Sequence, residues 1–253
     1  GVSFEKFFQN FDTRADLPLW PLLFLTISCV ALSGFHATQS PLMARCTENE
    51  KEALFIFYGA MIGEGVIALV WCAVGLSFYD SLPDLLAAIK AGSPSKVVYD
   101  SSIHFLGLVG GIFAVLGVVV LPITSGDTAF RAARLVIAEF FHLEQKTLAK
   151  RLIIAVPLFV VGYIVSKVDF SILWRYFTWA NQMTAMVMLW TAAAYLYRYH
   201  KFHWVASIPA WFITTVCATY LYYNKIGFSL DYQLSVYLGF ATTIVCVVLF
   251  FTL

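Results

Sequence analysis

Apolar runs of membrane-spanning length recur from one end of this chain to the other, and that recurrence decides most of what it can fold into. A helix rises 1.5 Å per residue, so about 20 apolar residues cross the roughly 30 Å of hydrocarbon in a bilayer. Runs at 17–33, 53–77, 103–121, 152–165, 172–197, 204–223 and 234–253 predict about seven transmembrane helices. The run at 152–165 is short and is expected to extend into the basic residues before it. Strands of a membrane barrel would alternate apolar and polar residues instead of running apolar throughout. The expected fold class is therefore an all-α polytopic membrane protein, with the lipid bilayer as its first partner.

Composition narrows the function. Of 253 residues, 60% are apolar and 12% charged, with a mean hydropathy of +0.80. A soluble domain has about 25% charged residues, so soluble enzymes and disordered tails are excluded. Sixteen basic against fifteen acidic residues leave a net charge of +1, without the basic excess that nucleic acid requires. Cys29, Cys46, Cys72, Cys217 and Cys246 form no CxxC pair, which argues against a disulfide framework and a metal site. Residues 1–18 lack the apolar core of a signal peptide, and the chain reads as one piece of a longer protein. If residues 128–141 prolong the third helix, nine of the sixteen basic residues fall on one side, which would then be cytoplasmic.

Between the second and third runs, Ser81-Leu82-Pro83-Asp84 reads as an N-cap followed by proline in the first turn. Gly92 reads as the exit, so a short amphipathic surface helix is expected there. Gly107 and Gly111, four residues apart, read as close helix packing.

Three features put expensive groups in or near the hydrocarbon. Glu64 lies mid-run, and a charge at a helix centre costs about 2.5–3.5 kcal/mol, so it should face a bundle interior or a watery cavity. It is either a proton- or cation-coupling carboxylate or a packed, protonated one. Gly59 and Gly63 beside it permit close approach of another helix. The second feature is Ser33-Gly34-Phe35-His36-Ala37-Thr38-Gln39-Ser40-Pro41. Ser40 suits an N-cap and Pro41 a first helical position, so the backbone is expected to unwind between Ser33 and Ser40. Bare main-chain groups at that depth belong beside a cavity, where an N-terminal dipole attracts anions and free carbonyls attract cations. Thr38, Gln39 and Ser40 add neutral donors and acceptors there, and His36 adds an imidazole. The bland alternative is a loop at the membrane edge.

The third feature is Pro122-Ile123-Thr124-Ser125-Gly126-Asp127, in which Thr124-x-x-Asp127 matches a capping box. Asp127, Arg131 and Arg134 share one helical face, as an internal ion-pair gate or a solvated surface. His104, His142, His200 and His203 read as interface residues. No HExxH, GxSxG or nucleotide loop is present, so an enzyme is not expected. Two other classes stay open. One is a redox subunit whose histidines (His36 and His104, for example) ligate haem. The other is a scaffold supporting a partner chain.

The stretch from Ser33 to Cys46, SGFHATQSPLMARC, resembles the signature of the carbon starvation protein A (CstA) family. The stretch from Pro122 to Arg131, PITSGDTAFR, with Ala133 and Arg134, resembles its second signature. The likeness is strong over residues 1–145, and residues 146–253 resemble the family's less distinctive C-terminal helices. It implies a secondary transporter of the bacterial inner membrane that takes up peptides or pyruvate with a coupling proton, sodium being the other candidate ion, and with no cofactor. It implies the second half of a LeuT-type inverted repeat opening on a broken helix, with the N-terminal half absent from this chain. In those terms Ser33, Gly34, Phe35, His36, Thr38, Gln39 and Ser40 are substrate positions for a small carboxylate or peptide. Thr124, Ser125, Asp127 and Arg131 are a coupling or gating cluster, while Glu64 rests on the energetic argument alone.

Overall fold

The computed structural model describes residues 18–31 and 34–252, and among them all regular structure is helical. Eight helices follow in order: α1 (Leu19–Ala31), α2 (Gly34–Cys46), α3 (Ala60–Phe78), α4 (Leu82–Phe140), α5 (Leu148–Val165), α6 (Phe170–Arg198), α7 (Trp204–Tyr223) and α8 (Tyr232–Thr252). A 3₁₀ turn (Glu50–Glu52) and a π turn (Leu54–Gly59) lead into α3. Five helical stretches are long and apolar enough to cross a membrane: Glu50–Phe78, Pro94–Phe140, Leu148–Val165, Trp204–Tyr223 and Tyr232–Thr252. Two expected crossings fall outside that set. The first is the run at 17–33, whose described part is α1, of 13 residues. The other is α6, whose 29 residues are long enough but carry polar groups mid-helix. As expected, α5 begins in the basic flank, at Leu148.

The chain packs as two units, residues 58–159 and residues 16–57 with 160–253. In the second unit, α6, α7 and α8 are joined by segments 199–203 and 224–231, short enough to make them neighbours. The unit's centre is α7, with 56% of its apolar window buried. Small and hydroxyl side chains allow this, as is usual where lipid offers helices no hydrophobic drive to associate. Thr215 and Thr243 share a 2.7 Å hydrogen bond between α7 and α8, and Trp190 Nε1 donates to Thr214 Oγ1 at 2.9 Å between α6 and α7. Gly239 lies where a Cβ would overlap the Thr219 hydroxyl, so these helices cross backbone to side chain. In α1, Trp20 is extended (φ −91°, ψ 129°) and Pro21 opens the regular turns. The Trp20 ring stacks on Phe240, meets Phe212 edge to face and lies tilted against Phe24, fastening α1 to α7 and α8.

In the first unit, α4 departs from expectation. Its start is as read, with Ser81 Oγ accepting from Asp84 N at 3.4 Å. Gly92 does not end the helix, which runs on through Pro94 and Pro122 to Phe140. The break falls at Gly107, whose φ of +68° is cheap for glycine alone. A Cβ on Gly111 would stand 3.0 Å from Ile103 Cα. Residues eight apart on a straight helix are about 12 Å apart, so the chain bends sharply there. Gly107 is thus a hinge in the backbone, not a packing notch. The arm before it closes with α3 on a cleft of about 250 Å³ lined by Trp71, Gly75, Ile89, Pro94 and Ser101, among others.

Two histidines terminate helices. His142 (φ 53°) follows α4, with Leu143 N donating to Ala138 O at 2.7 Å and His142 N to Glu139 O at 3.2 Å. His200 (φ 53°) repeats the pattern after α6, with Lys201 N on Leu196 O and His200 N on Tyr197 O. Both are left-handed residues that let the chain answer its last carbonyls. His203 bonds Ser207 Oγ at 3.0 Å in the first turn of α7, and His104 packs edge-on against Phe78 and Phe105.

Candidate substrate site at the start of the second helix

The first N–H groups of a helix have no partner within it. In α2 the Phe35 N–H donates to Asn181 Oδ1 at 3.1 Å, so a side chain of α6 caps the helix. Gly34, just before, is buried. A Cβ there would stand 2.6 Å from the Asn181 carbonyl oxygen and 2.7 Å from Thr184 Cβ. Glycine is the residue that lets the first turn of α2 press onto α6.

The α6 surface at this depth is polar and enclosed. Thr178, Asn181 and Gln182 are buried together with Ala185, on one face of the helix. Gln182 is 0% exposed, and neither its Oε1 nor its Nε2 has a hydrogen-bond partner. The indole N–H groups of Trp20 and Trp179 also lack partners, and both rings pack against the Leu25–Val216–Tyr220 cluster. A buried polar group left unpaired costs about 1–3 kcal/mol, which an apolar side chain would avoid. The unused groups are mostly donors. Donors of this kind suit a small ligand rich in acceptor oxygens. Asn181 and Gln182 escaped the sequence reading, though two adjacent amides midway along the apolar run 172–197 were the visible signal.

The expected unwinding of Phe35 to Gln39 is overturned, because the whole stretch is helical. Ser40 is not a cap: its Oγ donates back to His36 O at 2.8 Å. Thr38 Oγ1 does the same to Phe35 O at 2.8 Å. Such back-bonding adds a second donor to carbonyls within the helix, in which Pro41 also lies. Ser33 lies outside the described residues. His36 and Gln39 are half-buried, while Thr38 and Ser40 are exposed.

The second group of expected residues belongs to the other unit. Glu64 is exposed on α3, and the positions of Gly63 and Gly65 beside it are open. Thr124 is no N-cap: it lies inside α4, its Oγ1 donating to Leu121 O at 2.8 Å. Asp127 and Arg131 form an ion pair at 2.7 Å, with side chains 66% and 57% exposed. Ser125 is exposed on the same helix.

The family described as Carbon starvation protein CstA matches residues 5–91, which hold the first signature and Glu64 and stop short of the second signature. A peptide transporter CstA of Escherichia coli (strain K12) is 26% identical over 77% of this chain and 38% of its own length. The chain is similar to the carbon starvation protein CstA family, by that model over residues 5–91 and by this relative. An uncharacterized protein of Haemophilus influenzae is 82% identical over 49% of this chain and 90% of its own length. The pyruvate/proton symporter BtsT of E. coli is 46% identical over 59 residues, 21% of this chain and 8% of the symporter. Residues 229–253 also match a single transmembrane helix domain. The chain therefore spans well under half the length of the E. coli peptide transporter it matches. No solved structure matches it. Its several apolar helices and its likeness to membrane transporters point to a multi-pass membrane protein.

Proposed function

We propose that this chain is the C-terminal half of a secondary active transporter of the bacterial inner membrane, taking up a peptide or pyruvate with a proton. Its curated relatives are named a peptide transporter and a pyruvate/proton symporter. The carrying observation is Gln182, a fully enclosed amide with both polar atoms unpaired, one residue from the Asn181 that caps α2. In this reading the substrate carboxylate answers those donors at the positive end of α2. Gly34, Phe35 and His36 form its near wall, with Ser33, Thr38, Gln39 and Ser40 following.

His36 and Glu64 carry the coupling proton, and Thr124, Ser125, Asp127 and Arg131 act as a gating cluster. Proton occupancy moves the outward–inward equilibrium only through different affinities in the two states. The missing N-terminal half completes the site. The test is uptake by the complete protein in proteoliposomes, with pyruvate and di- or tripeptides under an imposed proton gradient. Gradient-driven uptake that His36→Ala, Glu64→Gln and Asp127→Asn each impair supports the assignment. Wild-type coupled uptake in all three variants removes these residues from the mechanism.

A further inference from the structure

We propose that the corner between α4 and α5 binds the phosphate of an anionic phospholipid, with an acyl chain lying against Phe130 and Phe159. A cleft of about 110 Å³ opens there between Asp127, Arg131 and Arg134 of α4 and Ala155, Leu158 and Phe159 of α5. Phe159 is seven residues into the apolar run that begins at Leu152, about 10 Å along the helix. Its ring centroid is 4.5 Å from that of Phe130, so the two guanidiniums share that apolar depth. Arginine so placed calls for an anion or a route to water.

The protein answers only part of this charge. Arg131 is paired with Asp127 at 2.7 Å, and Lys150 with Glu144 at 3.0 Å. Arg134 Nη1 donates to Gln145 Oε1 at 3.0 Å, and Arg151 Nε to the Gln145 carbonyl at 2.8 Å. Both of those acceptors are neutral, which leaves two guanidiniums at one corner with charge to be met. An incoming phosphate is repelled by Asp127 but meets Arg134, whose acceptor is the neutral Gln145, with Arg131 beside it able to share its guanidinium between Asp127 and the phosphate. A soluble oxyanion would satisfy them equally and leave Phe130, Leu158 and Phe159 bare. A lipid covers both parts. α5 presents an otherwise open apolar surface, with 6% of its span buried, against which an acyl chain can lie. The site shares Asp127 and Arg131 with the proposed gating cluster, but its test reads lipid binding and not uptake, so the two readings stand or fall separately.

Native mass spectrometry of the complete protein, titrated with phosphatidylglycerol or phosphatidylcholine, tests the proposal. Wild type should retain phosphatidylglycerol in preference to phosphatidylcholine. Arg131→Gln with Arg134→Gln should lower its apparent affinity roughly thirtyfold, from about a factor of five for each basic group. Ala155→Trp, which fills the cleft and touches no charge, should lower it too, and Lys201→Gln should not. Retention of both lipids alike, or undiminished phosphatidylglycerol binding in the double variant and in Ala155→Trp, overturns the proposal. So does displacement by millimolar inorganic phosphate, which would assign the cleft to a soluble oxyanion. If the double variant does not fold, Ala155→Trp alone decides.

Discussion

The Asn181 side-chain oxygen accepts the Phe35 backbone N–H at 3.1 Å, while the Asn181 carbonyl lies so near Gly34 that a Cβ there would stand 2.6 Å away. One residue of α6 thus both caps α2 and sets how closely the helices approach. The family's most distinctive segment is anchored at this point, on a helix that carries no signature of its own.

Gly34→Ala should separate these helices. Overpacking of this kind costs about 1–3 kcal/mol. A thermal-unfolding scan of the purified protein should show a lower midpoint for Gly34→Ala. Gly63→Ala should leave the midpoint unchanged, because no atom lies within 4 Å of its Cβ position.

Asn181→Ala removes the acceptor from a partly buried donor, a loss worth about 1–3 kcal/mol. Hydrogen exchange at the Phe35 amide should accelerate in this variant. Asn181→Asp keeps an oxygen in place and should restore much of the protection. Equal exchange in all three proteins would remove the cap.

The bend in α4 gives a third test. Gly107 at φ +68° should tolerate asparagine better than alanine, since left-handed backbone costs an ordinary residue about 1–2 kcal/mol. Gly107→Ala should therefore unfold at a lower temperature than Gly107→Asn. Gly92→Ala, earlier in the same helix, should also lower the midpoint, because a Cβ there would stand 2.8 Å from the backbone-fixed Lys96 Cβ.

The helical, membrane-spanning character of the chain was legible because hydrocarbon thickness imposes a length on every apolar run. Local signals were less dependable. Ser81 caps α4 as read, yet Ser40 and Thr124, of the same chemistry, turn their hydroxyls back onto carbonyls inside helices. A hydroxyl serves either purpose, and the neighbouring turns decide. Gly92 and Gly107 show the same ambiguity, because only the packed chain reveals which glycine takes positive φ. Residues 34–40 were visible as polar positions in an apolar region. Their partner surface, Thr178, Asn181 and Gln182, depends on a contact across some 146 positions of sequence, which no local pattern encodes.

Gln182→Leu tests the central claim most directly, because it sets folding against binding. Replacing an unpaired buried amide with an apolar group of similar volume removes a desolvation cost. The variant should therefore unfold at the same temperature as wild type or a higher one, while uptake of pyruvate or peptide by the complete protein falls at least about tenfold, the loss of one hydrogen bond to a charged group. Wild-type uptake with unchanged or raised stability would show that the amide serves no substrate, and would contradict the site proposed at the junction of α2 and α6.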